Sequence, residues 1–183
     1  MPKKIGRYTL KMTKKTNIEE FCSVVGKKEG DGPIGKHFDK IFEDSYLGQS
    51  SWEKAEAQLQ LEAVQGVLKK ANLDSSQINY IFAGDLLNQC ISSTFGLMDL
   101  GIPFLGQYGA CSTMAQTLAM AAIMVDSGAA QRCIAVTSSH FCSAERQFRF
   151  PLDYGGQRSP SAQWTATASG SLILSSENGK SHV

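Results

Sequence analysis

Apolar positions recur along this chain in two rhythms. Over residues 54–71, Ala57, Leu61, Val64, Leu68 and Ala71 follow at steps of four and three, the period of one helix face. Lys69, Lys70 and Asn72 supply the cationic last turn and the stop. A second helix is predicted over 112–127, with Met114, Leu118, Ala121, Ala122 and Val125 on one side. Its other positions are also small and apolar, so it is expected to be enclosed all round. Shorter runs at 21–25, 78–83, 102–105, 132–137 and 171–175 read as strands, and a further helix is expected to end near Gly101. From 21 to 137 the order is strand, helix, strand, helix, strand, helix, strand. That order predicts an α/β fold of right-handed βαβ units, with a mostly parallel sheet flanked by helices. Residues 26–36, rich in glycine and charge, are predicted as a loop. Residues 140–164 break the rhythm and read as a long functional or interfacial connection.

Composition narrows the classes. The chain has 183 residues, 42% hydrophobic and 19% charged, enough for one globular core. No apolar run approaches the roughly 20 residues that span a bilayer, and the basic start has no apolar stretch behind it to form a secretory signal. A net charge of +1 argues against a nucleic-acid partner. That value is a cancellation. Lys3, Lys4, Arg7, Lys11, Lys14 and Lys15 face no acid within the first fifteen residues, while the rest of the chain carries −5. The chain therefore divides into a basic N-terminal arm, 1–16, and an acidic body, 17–183. The arm reads as a solvated, poorly ordered terminus or as a segment attracted to anionic lipid. Five cysteines, odd in number and without a CxxC pair, indicate reduced thiols. Cys133, His140 and Cys142 lack zinc-ligand spacing, so neither metal nor cofactor is expected. An Asn178-Gly179 hairpin signal is followed, after Lys180, only by Ser181, His182 and Val183, so the chain reads as stopping where its last strand should pair.

Ligands in open α/β sheets bind beyond the carboxyl ends of parallel strands, which here are 84–88, 106–111 and 137–140. Cys111 stands at the predicted start of the enclosed helix, where a thiolate is favoured and could attack a thioester carbonyl. The alternative is a small buried apolar residue.

Gly109-Ala110-Cys111-Ser112-Thr113 resembles the nucleophile region of the thiolase-fold condensing enzymes, and the small-residue run 164–171 is similar to a turn of the ketoacyl synthases. Five stretches resemble the stage V sporulation protein AD (SpoVAD) family more closely. They are 25–30 with Gly32-Pro33, Ala83-Gly84-Asp85-Leu86-Leu87-Asn88-Gln89, 109–113, Thr137-Ser138-Ser139-His140, and Glu145-Arg146-Gln147-Phe148-Arg149 continuing to Tyr154-Gly155-Gly156-Gln157. The resemblance runs from about residue 17 to the end.

It implies a thiolase-like, ketoacyl-synthase-like layered fold of which this chain is the N-terminal half, the C-terminal half being absent. The uncovered face would meet a second copy, a partner chain or nothing. It further implies a non-catalytic subunit of the SpoVA machinery that binds dipicolinic acid, as the acid or its calcium chelate, during spore formation and germination. Such subunits are regarded as soluble proteins, peripheral at the spore inner membrane, beside other SpoVA subunits. The flat dianion needs cationic forks, donors and an apolar face. Arg146 and Arg149 are the candidate forks, Ser138, Ser139 and His140 the candidate donors, and Phe148, Phe150 and Tyr154 a candidate stacking face. The competing roles are salt bridges to Glu145 or Asp153, a satisfied turn histidine, and core or dimer packing. An acyltransferase using Cys111 is the alternative function.

Overall fold

The computed structural model describes residues 1–183 except 15, 88–89, 149–159, 162, 177–178, 180 and 183, and only the backbone of 181–182. The arm forms an antiparallel hairpin of β1 (Lys3–Ile5) and β2 (Thr9–Lys11), with Lys3 opposite Lys11. This differs from the unstructured terminus expected from its composition. Its anchor lies far away in sequence. The buried Asp126 carboxylate accepts the Thr13 and Lys14 amides, each at 2.6 Å, and lies 3.7 Å from the N-terminal amine. Desolvation opposes ionisation there, but the Lys14 and Thr13 amides outweigh it and hold the carboxyl below its usual range. Asp126→Ala is expected to free the arm, raising the rate of trypsin cleavage within residues 3–14 about tenfold or more; mass spectrometry of a digest time course reads it.

The body is built on one sheet. Its strands are β3 (Asn17–Gly26), β4 (Lys40–Phe42), β5 (Tyr80–Gly84), β6 (Phe104–Gly106), β7 (Arg132–Ser139), β8 (Ala168–Ser175) and β9 (Ser181–His182). They lie in the order β4-β3-β8-β7-β5-β6, with β9 also paired to β3. The parallel pairs are β3–β4, β5–β6 and β5–β7, whereas β8 runs antiparallel to both β3 and β7. Followed from strand to strand, β3 to β7 all point one way, and β8 and β9 run against them. The predicted common direction holds for the early strands, and β8, inserted centrally, makes the sheet mixed. β9 pairs with β3 at Asn17 and Ile18, so the last strand does find a partner, though it is not the preceding strand. Asn178, which carries the hairpin signal, lies outside the described residues.

Alternation along the strands sends side chains to opposite faces. Ile81, Ile134, Val136 and Ile173 pack with Leu59, Ala63, Val64 and Val67 of α2 (Trp52–Ala71). Phe82, Cys133, Ala135 and Leu174 pack on the other face with Ala121, Ala122 and Val125 of α4 (Thr113–Ser127). The chain thus covers its sheet on both faces. Ser51 caps α2 by accepting the Lys54 amide, and Asn72 closes it in the left-handed conformation.

Among the described residues, three shorter α-helices accompany these two. They are α1 (Lys27–Gly30), within the segment predicted as loop, α3 (Ile91–Leu97), and α5 (Phe141–Phe148), which opens the predicted long connection. α4 is not enclosed all round, because Ala115, Gln116, Ala119 and Met120 are exposed. Apolar side chains are also exposed nearby in the chain at Phe95, Met98, Phe104, Leu105 and Tyr108. Among the described residues, no helix is long and apolar enough to cross a membrane.

Candidate functional site

The carboxyl ends of β5 and β7 open onto a crevice of about 500 Å³. Its floor is Gly84, Asp85 and Leu86 after β5 and Thr137, Ser138 and Ser139 of β7. Ala110 and Cys111 form one wall, and residues 163–166 form the other, with Trp164 supplying an aromatic surface. The three segments expected from strand topology therefore do meet at one place.

Cys111 reaches it from a single 3-10 turn, Ala110–Ser112, rather than from the first turn of α4. That turn is stapled by hydroxyls. Thr113 Oγ1 accepts the Gly109 amide at 3.1 Å and donates to the Ala110 carbonyl at 2.8 Å, and Ser112 Oγ donates to the Gly109 carbonyl at 2.7 Å. Ala110 is held at φ 47°, a left-handed conformation that costs a residue with a Cβ roughly 1–2 kcal/mol. Strain of this kind persists where the surroundings over-determine it. Cys111 is exposed, whereas burial pushes the Cys22 thiol up to about 11 and the Cys133 thiol up to about 12, which leaves those two inert.

Ser138 and Ser139 line the crevice, but both hydroxyl protons are spent. Ser139 Oγ donates to the Ala166 carbonyl at 2.6 Å, tying β7 to the far wall. Ser138 Oγ donates to Glu56 Oε1 at 3.1 Å and accepts from Gln60 Nε2 at 3.2 Å. Glu56 and Gln60 are fully buried on the inner face of α2. They belong to a polar layer directly beneath the floor. Glu56 Oε2 accepts from Ser143 at 2.8 Å, Gln60 Nε2 also donates to the Gly84 carbonyl and Ser93, and Asp85 accepts the Ser93 hydroxyl at 2.6 Å. Burial pushes the Glu56 carboxyl up to about 7, against the pull of the Ser143 and Ser138 hydroxyls and with the Asp85 charge adding to the rise.

His140 does not face this crevice. It is fully buried, with Nε2 at 2.7 Å from the Ser45 carbonyl and Nδ1 accepting the Cys142 amide, so its ring is the neutral Nε2–H tautomer. Burial pushes its pKa down. It lines a separate cavity of about 510 Å³ with α1 and Phe141. Arg146 also lies elsewhere. It pairs with Glu53 of α2, and its guanidinium sits 5.5 Å from the Trp52 ring centre, while Asp153 lies outside the described residues. Phe148 is exposed, while Arg149, Phe150 and Tyr154 lie outside the described residues.

The 25–30 motif acts on the site indirectly. The Gly26 amide donates to the Thr167 carbonyl at 2.8 Å, and Glu29 accepts the Thr167 amide at 3.2 Å. Lys28 Nζ lies 3.3 Å from the centre of the Trp164 ring, which also packs on Phe141 at 4.5 Å. The motif thus props the aromatic wall. Sequence periodicity missed Glu56 and Gln60, since a count of apolar positions passes over polar side chains. The steps 55, 59, 63 and 67, with their neighbours 56, 60, 64 and 68, mark the buried face.

A sheet with a central reversed strand, covered on both faces, and a cysteine turn at its carboxyl edge define one half of a thiolase-like fold. Solved structures agree. 3-oxoacyl-[acyl-carrier-protein] synthase III from Aquifex aeolicus VF5 superposes with a TM-score of 0.58 at 15% identity, over 87% of this chain and 53% of that one. Cerulenin-bound OleA from Xanthomonas campestris gives 0.58 at 12% identity, over 88% and 57%. At the level of sequence, the Stage V sporulation protein AD (SpoVAD) profile matches residues 6–183, and the chain belongs to that family. The Stage V sporulation protein AD of Bacillus subtilis (strain 168) is 46% identical over 157 residues, which are 86% of this chain and 46% of that protein. The chain therefore spans about half the length of the curated relative it matches.

Proposed function

We propose that the Cys111–Ser138–Trp164 crevice is a binding site for dipicolinate, taken as the acid or as its calcium chelate, in a SpoVA-type assembly of sporulation and germination. The observation that carries this reading is the crevice itself: an open site at the strand ends with an aromatic wall and a floor of small hydroxyl residues. A flat aromatic acid suits such a lining. Binding is favoured over acyl transfer because, among the described residues of the lining, no histidine, lysine or arginine stands beside Cys111. Arg149 remains the proposed cationic fork. Ser138 and Ser139 are the proposed polar contacts and Trp164 the proposed stacking face, whereas His140 and Arg146 do not line the crevice.

Calorimetric titration of the chain with dipicolinate tests this. Saturable heat is expected, and Ser139→Ala, which unties the far wall, should weaken binding about tenfold. Absence of saturable heat would defeat the reading. Incubation with acyl thioesters, followed by intact mass, is expected to leave Cys111 unmodified; a stoichiometric adduct would establish the acyltransferase instead.

The basic hairpin is the proposed contact with an anionic membrane surface. Lys3, Lys4, Arg7 and Lys11 surround exposed Ile5, Tyr8 and Leu10, and each basic residue near such a surface contributes roughly 1 kcal/mol. Replacing the four cations by glutamine should abolish salt-sensitive sedimentation with phosphatidylserine vesicles. The exposed side of α4 is the proposed seat of a second half, a second copy or another SpoVA subunit.

A further inference from the structure

A buried carboxylate, Glu56, lies one hydrogen bond from the crevice. Ser138 has a single hydroxyl proton, and it is committed to Glu56 Oε1 at 3.1 Å. Gln60 Nε2 already donates to Ser138 Oγ at 3.2 Å. While Glu56 is ionised, Ser138 offers an acceptor in the crevice a surplus of lone pairs and no proton. A proton on Glu56 reverses the bond. The carboxyl then donates to Ser138 Oγ, and the Ser138 proton turns outward. The layer is short of exactly one kind of group, donors: Gln60 Oε1 is buried with no hydrogen-bond partner.

We infer that a carboxylate ligand entering the crevice at Ser138 is bound together with a proton taken up by Glu56, which makes Glu56 a positioning residue acting through Ser138. The inference rests on the binding reading above and adds to it a stoichiometry. The proton comes from solvent and stays on the Glu56 carboxyl, and no bond to the ligand is made or broken. An anion above the floor also repels a second negative charge beneath it, which acts in the same direction.

The groups facing Glu56 fit a single titrating site. From the link after β5 comes Asp85, whose charge raises the carboxyl further. From the end of β7 comes His140, neutral, whose carbonyl shares the Ser143 hydroxyl. From α5 come Ser143 and, one turn on, Arg146, which is paired with Glu53 of α2. Cys142 lines the neighbouring cavity instead. Burial places the Glu56 midpoint at about 7, where both states are populated at neutral pH.

The test has two arms. Without ligand, the infrared carboxyl stretch near pH 7 should disappear in Glu56→Gln, and its midpoint should move upward in Ser138→Ala, because that hydroxyl supports the ionised form. An unmoved midpoint in Ser138→Ala would overturn the link between the two residues. With dipicolinate, binding heat is measured at pH 7.5 in buffers of different ionisation enthalpy. The expected result is uptake of about half to three-quarters of a proton per ligand, since about a quarter is already bound at that pH, vanishing in Glu56→Gln whatever that variant's affinity. Binding with no buffer dependence would overturn the coupling and leave the binding reading intact. No binding heat in any buffer would overturn both.

Discussion

Gly84→Ala is expected to lower stability by about 3 kcal/mol or more, the upper range for overpacking in a close-packed interior. A Cβ at this position would lie 2.1 Å from the Gln107 carbonyl oxygen and 2.5 Å from Thr113 Cγ2. The first of these is backbone, and it is fixed, since the Gln107 amide donates to the Ala83 carbonyl at 2.8 Å. Relief therefore requires moving residues 107–113, the segment that presents Cys111. A chain of this size loses roughly 2–4 °C of melting temperature per kcal/mol, so a drop near 10 °C is expected by calorimetry. Substitution at Gly101, where no atom lies within 4 Å of a built Cβ but φ is 67°, supplies a contrasting control of backbone strain without collision.

The second large effect is a pH dependence. Glu56 holds its proton up to about 7 in the fold, against an ordinary value of 4.5. Between those values the folded chain binds more protons than the unfolded one, so its stability falls as pH rises through that window. The loss is complete above the folded value. The shift corresponds to something on the order of 3 kcal/mol. Glutamine has the shape of the protonated acid and does not titrate. Glu56→Gln should therefore flatten urea midpoints between pH 5 and 8 and exceed the parent in stability at pH 8. A variant less stable than the parent at pH 8 would show that the ionised carboxylate is a net stabilising member of the layer.

Much of the fold was legible because it rests on local pattern. The strands at 78–83 and 132–137 and the helices at 54–71 and 112–127 are close to β5, β7, α2 and α4. The position of the crevice followed from strand direction alone, and Cys111, Ser138 and Ser139 are among the residues that line it. What escaped depends on contacts far apart in sequence or on polar groups indoors. The partner of Arg146 is 93 positions away at Glu53, and β8 is reversed by topology that no local period reports. The buried face of α2 carries Glu56 and Gln60, so an apolar count begins the stripe at the half-buried Ala57 and Leu61 and reaches the buried face only at Val64 and Leu68. The arm's strands have three residues each and no buried position, leaving no alternation to detect. Its order comes from Asp126, a residue of α4.

We propose a dipicolinate site at the ends of β5 and β7 of this chain. A crystal structure of the chain grown with dipicolinate tests it most directly. The expected density lies in the crevice, with the ring against Trp164 and a carboxylate oxygen within hydrogen-bonding distance of Ser138 Oγ. Density confined to the His140 cavity, or an empty crevice at saturating ligand, would contradict the account.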